Sequence, residues 1–356
     1  MRPLVLAATR KGLFLLRGDE SRGEWDVEGP LLKGWEVFHA TLDPRDGTLY
    51  AAANNFVYGG TVQRSSDFGK TWERSEQLAM PEGHDPLKRM WHVEPGHASQ
   101  PGTVWAGGDP GVLFRSDDGG RTWRPNQELL EHPTRDRWQP GAGGMCLHSI
   151  QIDPNDPQVV YVAISAAGAF RSEDGGETWK PANKGVAADF MEDDPFPDVG
   201  QCVHKLLLHP ANTERLWQQN HCGVYRSDDR GDSWERLEQN GLPSGFGFPI
   251  AIDPADPDVA YVIPEDGAEN RVTSDGRLGV YRTGDGGETW ALHADGLPDQ
   301  AWVAVLREGM AYDSDSAVYF GTQSGSVFAL ADGTWNEAAS QLPPILSVEA
   351  AEWHTS

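Results

Sequence analysis

Positive charge is what this 356-residue chain has least of. Its 29 lysines and arginines face 54 aspartates and glutamates, for a net charge of −25. Such a surface repels polyanions, so the composition argues against a nucleic-acid partner or an anionic membrane surface. Lysine is scarce, and arginine carries most of the positive charge. Three cysteines are too few for a disulfide framework. No apolar run approaches the ~20 residues that span a bilayer. From Met1 the chain enters a β-like segment within a few residues, without the charged, apolar and cleavage regions of an export signal. That start predicts a cytoplasmic location. Helical periodicity is missing from the repeated units described next, which leaves strands and turns.

What the chain does have is one octapeptide, Ser-x-Asp-x-Gly-x-Thr-Trp, five times over. The copies are Ser65-Asp67-Gly69-Thr71-Trp72, Ser116-Asp118-Gly120-Thr122-Trp123, Ser172-Asp174-Gly176-Thr178-Trp179, Ser227-Asp229-Gly231-Ser233-Trp234 and Thr283-Asp285-Gly287-Thr289-Trp290. Successive tryptophans are 51, 56, 55 and 56 positions apart. A fixed period of that size marks a repeat architecture.

Each repeat reads as four short strands. The clearest copy runs 147–152, the turn Asp153-Pro154-Asn155-Asp156-Pro157, then 159–164, 169–171, the octapeptide, and a last strand from Thr178. β-Branched and aromatic runs bounded by Pro, Gly, Asn and Asp are strand-and-turn grammar. Two worn units complete the set: 4–9, 12–16 and 25–27 with Trp25 in the tryptophan place, and 303–306, 317–321 and 326–330 leading to Trp335. The sequence therefore predicts an all-β fold spanning 1–356 as a single domain, a seven-bladed β-propeller of four-stranded antiparallel blades. The first unit lacks an innermost strand and the last has one to spare at 345–350, so the C-terminal strand is expected to close the N-terminal blade.

The octapeptide resembles the Asp-box, or BNR repeat, of sialidases, sortilin-type receptors, xyloglucanases and a photosystem II assembly factor. The resemblance covers nearly the whole chain. It implies that each box is a tight turn between third and fourth strands: glycine supplies a positive φ, and Ser/Thr hydroxyls and the Asp carboxylate engage turn amides. Five aspartates at one period cannot share one active site, so they read as structural, as do Arg64, Arg115, Arg171, Arg226 and Arg282 just before each box.

In a propeller, the links between blades and the turns between second and third strands share one face, and the boxes lie on the other. The long links 128–144 and 185–200 and the enlarged turn 265–279 all fall on the first face. Long loops on a rigid scaffold are where function concentrates, so a site is expected at the loop-rich mouth of the central channel. Inner strands begin there with histidine: Cys146-Leu147-His148 and Cys202-Val203-His204 in blades four and five, Met90-Trp91-His92 in blade three, Phe38-His39 in blade two, with His221-Cys222 in a turn of blade five. Three readings stay open. His39, His92, His148, His204, Cys146 and Cys202 offer soft and imidazole ligands for a transition metal such as zinc. Without a metal, His92, His148 and His204 are candidate acids or bases. Or the group fills a narrowing channel and satisfies itself. No HExxH or CxxC pattern is present.

Charged and aromatic residues surround the same mouth. Arg10, Lys11, Arg89, Lys205 and His221 are candidate ligand contacts, and Trp35, Trp91 and Trp138 are candidate platforms for sugar rings. Glu36 with Asp194 or Asp198 is a candidate carboxylate pair of the kind glycosidases use; the alternative is that the 192–198 acids are solvated surface. The sialidase chemistry is not expected: no Arg-Ile-Pro occurs, and no tyrosine begins an inner strand, with only Tyr58 and Tyr312 placed in turns. The expectation is a hydrolase-like, monomer-capable protein acting on a glycan or another polar small molecule. The alternative is a non-catalytic binding or assembly propeller with a protein partner on the same face.

Overall fold

In the computed structural model, which describes residues 2–75 and 78–353, the strands sort into seven four-stranded antiparallel sheets. Blade four shows the pattern: Leu147–Ile152 innermost, then Val160–Ile164, Gly168–Ser172 and Lys180–Pro181 outermost. The innermost strands of blades one to seven are Ile345–Trp353, Glu36–Leu42, Arg89–Pro95, Leu147–Ile152, Val203–Leu208, Gly247–Ile252 and Met310–Tyr312. Each packs beside the next, and the seventh returns to the first, so the ring closes. The core lies between blades, where Trp105, Trp217, Tyr50, Tyr161 and Tyr319 on second strands and Tyr225 on a third are fully buried. In blades two to six the outermost strand is only two residues long, as in Glu73–Arg74 and Glu235–Arg236, which leaves no long free edge. No helix among the described residues is long and apolar enough to cross a membrane.

The box turns follow one design. In blade four Asp174 Oδ1 accepts from the Thr178 amide at 2.8 Å and from Ser172 Oγ at 2.8 Å, while Oδ2 accepts from Thr178 Oγ1 at 2.6 Å. The Ser172 hydroxyl in turn accepts from the Gly176 amide. Gly176 has φ +94°, and a Cβ there would press on Asn126 and Trp105, so glycine is favoured on both counts. In blade two the Thr71 hydroxyl and amide hold the Asp67 carboxyl down at about 2. From the second box onward, each tryptophan indole donates to the preceding blade. Trp123 reaches Ser75, Trp179 reaches Asn126, Trp234 reaches the Ala182 carbonyl, and Trp290 the Leu237 carbonyl. Trp335 of the worn seventh unit does the same to the His293 carbonyl.

Closure is as the strand count requires. Ile345–Trp353 pairs antiparallel with Arg2–Thr9, Leu6 opposite Glu349. Arg22 in the worn first box adds a second tie, donating to Asp313 Oδ2 and Tyr319 Oη of blade seven, both at 2.8 Å. One assignment is corrected. The inner strand of blade seven is Met310–Tyr312, not 303–306, which lies outside the sheets as an irregular link hydrogen-bonded to Thr273 and Gln323. Tyr312 therefore ends an inner strand rather than occupying a turn. The 128–144 link also contains a helical turn, Gln127–Leu130, capped by the Asn126 side chain.

Two outcomes are expected. Deleting residues from Ile345 onward strips blade one of its innermost strand and uncovers the packing between blades one and seven, so cooperative thermal unfolding should be lost rather than shifted slightly. Asp174→Ala should lower stability by about 1–3 kcal/mol in denaturant titrations while ligand binding or turnover persists. Turnover lost at unchanged stability would assign Asp174 to chemistry instead.

Candidate functional site

Each inner strand of blades two to six carries a β-bulge near its start, where one or two residues are skipped in the pairing. The skipped residues include Phe38, Trp91, His148, His204 and Phe248. His39 and His92 sit one position later, level with Ser149 and Lys205. A one-residue offset turns a side chain to the other face, and the four histidines split accordingly.

His148 and His204 point between blades. His148 is fully buried, donates from Nε2 to the Val203 carbonyl of blade five at 2.9 Å, and contacts Ser149 Oγ through Nδ1. His204 donates from Nδ1 to the Gly247 carbonyl of blade six at 2.6 Å and stacks on Phe248. Burial holds both imidazoles well below their ordinary pKa, so they are neutral. His39 and His92 instead stack on each other at 3.9 Å inside the channel. The predicted convergence of His92, His148 and His204 does not occur, because His148 and His204 occupy the bulge position of their strands whereas His92 follows it by one.

The six candidate metal ligands divide in the same way. Cys202 and His204 come together with His221, and His39 and His92 with Glu308, the ligand atoms of each trio lying within 4.8 Å of one another. His148 is held by its two polar contacts, and Cys146 joins Phe38, Trp91 and Leu346 in a buried apolar layer. That layer fills the loop-rich end of the ring. The Arg307 guanidinium crosses it, over Trp91 of blade three at 5.4 Å and Phe248 of blade six at 5.5 Å.

The remaining candidates are dispersed. Trp91 is inside the apolar layer, and Trp138 is buried against Phe170 with its indole donating to Thr134. Neither presents a face to a sugar. Trp35 stacks on Tyr58 at the surface. Glu36 pairs with Arg10 at 3.3 Å, Asp198 forms a two-pronged pair with Arg137, and exposed Asp194 accepts from the Phe196 amide. Glu36 and Asp194 therefore do not face each other across a cavity; both are engaged locally. Lys11 and Arg89 are exposed at the loop-rich rim.

The large cavity lies at the other mouth. A space of about 1260 Å³ opens on the box face, among the ends of the inner strands, with Thr41, Asp43, Glu94, Gln151, Tyr312 and Glu349 in its wall. At its inner end Glu94 lies 3.4 Å from His92 Nε2 and Glu349 lies 3.7 Å from His39 Nε2. Behind them the Lys205 ammonium pairs with the buried Glu308 carboxylate, and His92 Nδ1 is 4.0 Å from the same carboxylate. Burial, then repulsion from Glu349, raises the Glu94 pKa well above the carboxylate range, with Lys205 opposing. About a third of the Glu94 side chain is exposed to the cavity, but the surrounding blades remove most of its hydration, so the upward shift prevails. Burial together with His39 and Lys205 holds His92 well below its ordinary value. The cluster thus joins a proton-holding carboxyl, a second carboxylate and a neutral imidazole at the head of an open cavity.

Sequence reasoning did not single out Glu94, Glu308, Glu349 or Arg307. A signal existed for one of them. Glu94 follows His92 by two in one strand and so shares its side. The offset was countable as well: His148 and His204 precede the turn residues Asp153 and His209 by five, whereas His39 and His92 precede Asp43 and Gly96 by four.

Comparison with known proteins agrees with the repeat reading. The BNR-Asp box repeat model matches residues 64–75. The protein is an Asp-box β-propeller. A xyloglucanase from Paenibacillus sp is 25% identical over 167 residues, which cover 42% of this chain and 15% of that one. The chain thus spans well under a fifth of the length of that relative. Among solved structures, the Niastella koreensis GH74 enzyme superposes with a TM-score of 0.61 at 16% identity, over 97% of this chain and 51% of that one. YCF48 bound to D1 peptide gives 0.55 at 16% identity, over 85% and 81%. At such identities the structural likenesses establish the propeller fold.

Glu265 supplies a test of the loop-rich face of this Asp-box propeller. It is almost fully buried beside Phe246, and burial raises its pKa from 4.5 to about 7. The folded protein therefore holds this proton more tightly than the unfolded chain. Its contribution to stability is complete below pH ~4.5 and declines as pH rises to about 7, by about 3 kcal/mol in all. Glu265→Gln should remove that decline from a series of denaturant titrations across the window. An unchanged slope would show that Glu265 is ionised in the fold.

Proposed function

We propose that this propeller is a glycoside-hydrolase-like protein whose glycan site is the box-face mouth of the channel, with Glu94 as proton donor and Glu349 as its partner carboxylate. The observation that carries the reading is the raised Glu94 carboxyl beside a second carboxylate at the head of the 1260 Å³ cavity. Hydrolysis of a glycosidic bond needs one carboxyl that keeps its proton near neutrality and one that does not. Glu94 would protonate the leaving oxygen, and Glu349 would take the opposite role toward water or the anomeric carbon. His92, neutral and 3.4 Å from Glu94, supports the protonated carboxyl. The cavity exceeds the usual volume of a small-molecule site, about 300–1,000 Å³, which suits an oligosaccharide. The xyloglucanase named above supports a β-glucan as the first substrate to try.

A second reading rests on a separate observation. The loop-rich face carries exposed apolar side chains: Phe56 at 99%, Trp302 at 68% and Phe196 at 62% exposure, with Tyr58 and Phe190 beside them in their loops. Exposed apolar side chains suit a protein partner where they join into one patch, and these loops share a face. In that reading the propeller is a binding or assembly scaffold and the channel carboxylates serve only the fold.

The two readings separate in one assay. Reducing-sugar release from xyloglucan oligosaccharides should fall by about 100-fold or more in Glu94→Gln and Glu349→Gln. The wild-type kcat/KM should hold on the alkaline side beyond the ordinary carboxylate range and then fall as Glu94 loses its proton. Wild-type turnover that survives Glu94→Gln would refute the role of Glu94. Absence of turnover on a panel of glycans would leave the scaffold reading as the function.

A further inference from the structure

We propose that Cys202, His204 and His221 form a three-ligand site for a thiophilic divalent cation such as Zn²⁺ on the loop-rich face, independent of the channel carboxylates. All three belong to blade five. Cys202 immediately precedes its inner strand Val203–Leu208, His204 lies in that strand, and His221 is in the turn between Leu216–Asn220 and Gly223–Ser227. The His221 amide donates to the Cys202 carbonyl at 3.0 Å, which fixes the turn against the start of the strand. The three ligand atoms already lie within 4.8 Å of one another. A tetrahedral ion with ~2.0–2.3 Å bonds sets its ligand atoms ~3.5 Å apart, so side-chain rotation closes the site without moving the backbone.

The two imidazoles are arranged as ligands. Their rings are 5.7 Å apart and nearly perpendicular, at 78°. Two imidazoles on one tetrahedral ion place their centroids about 5 Å apart, given N–metal bonds of ~2.0–2.1 Å. His204 donates from Nδ1 to the Gly247 carbonyl, which fixes the tautomer and leaves the Nε2 lone pair free, the usual support for a metal-bound histidine. The His221 ring makes no hydrogen bond among the described residues; its neighbours there are Phe190, Phe246 and His204. A half-buried imidazole with only ring contacts lacks the polar partner that a metal would supply. Cys222, next in sequence, is not part of the set, since its sulfur accepts from the Asp189 amide.

The trio opens toward solvent on its His221 side. His221 also lines a cavity of about 390 Å³ with Asp189, Phe190, Arg236 and Phe246, through which an ion and a small ligand or water can reach the site. A trio with an open position is the pattern of catalytic rather than structural zinc. The second trio, His39, His92 and Glu308, carries no such proposal, because the Lys205 ammonium already occupies the Glu308 carboxylate. Arg271 and Arg307 stand near His204 and oppose a dication. The Cys202 thiolate is therefore the charge on which binding depends, and releasing its proton is part of binding.

The test uses Co²⁺ as probe on the purified, metal-free full chain. One equivalent should produce visible ligand-field bands of tetrahedral intensity and a thiolate-to-cobalt charge-transfer band. Cys202→Ser should abolish the charge-transfer band and weaken binding by more than about 100-fold. His221→Ala should weaken binding while the band, at saturation, persists. Cys146→Ser, Cys222→Ser and Glu94→Gln should all retain it, which separates this site from the channel. Melting curves confirm that each variant is folded. Absence of the band in the wild-type chain, or its persistence in folded Cys202→Ser, overturns the proposal.

Discussion

The interaction on which the rest of the molecule depends is the indole N–H bond from a box tryptophan to the outer strand, or the turn just beyond it, in the blade before. It occurs at Trp123, Trp179, Trp234 and Trp290, and at Trp335 where the box itself is worn away. A four-stranded blade cannot bury both faces alone, so its stability comes from its neighbours. The tryptophan supplies apolar area and a directional bond at once, fixing the angle between blades as well as their contact. The Ser-Asp-Gly-Thr turn serves this end. Its side chains satisfy the turn amides locally, so the indole arrives at the same place in each repeat.

That regularity is why the blades were legible and the site less so. The period, the strand grammar and the spare strand at 345–350 gave seven blades and their closure. The seventh inner strand was misplaced because 303–306 is an apolar run indistinguishable in pattern from a strand, while Met310–Tyr312 is three residues long. At the site the obstacle was the β-bulge. A repeat alignment assumes constant register, and an extra residue at the start of an inner strand breaks it. His39 and His148 both stand near the start of an inner strand, yet His148 occupies the bulge and His39 follows it by one, so they face different environments. Glu308 had no strand pattern around it, and its meeting with Lys205 joins residues 103 positions apart.

The channel cluster is held by charge balance. Glu308 is buried, and breaking such a pair costs several kcal/mol because a charge is left without a partner. Lys205 supplies that partner. Burial first, then His39 and this ammonium, disfavour a positive charge on His92, which stays neutral. A neutral His92 does little to stabilise an ionised Glu94, whose pKa is raised in consequence of burial and of Glu349. The protonation of Glu94 thus follows chiefly from its own burial and from Glu349, against the opposing charge of Lys205.

The apolar layer of Phe38, Trp91, Cys146 and Leu346 gives the two faces separate chemistry. The box-face cavity is lined by Glu94 and Glu349 and not by the residues of this layer. Water at the loop-rich face reaches His221 and the cavity beside it but not the carboxylates. Arg307, lying across the layer over Trp91 and Phe248, adds a positive charge against cations. One ring can therefore hold a carboxylate site and a thiolate-imidazole site without either setting the protonation of the other. Retention of the Cys202-dependent cobalt spectrum in Glu94→Gln follows from that separation.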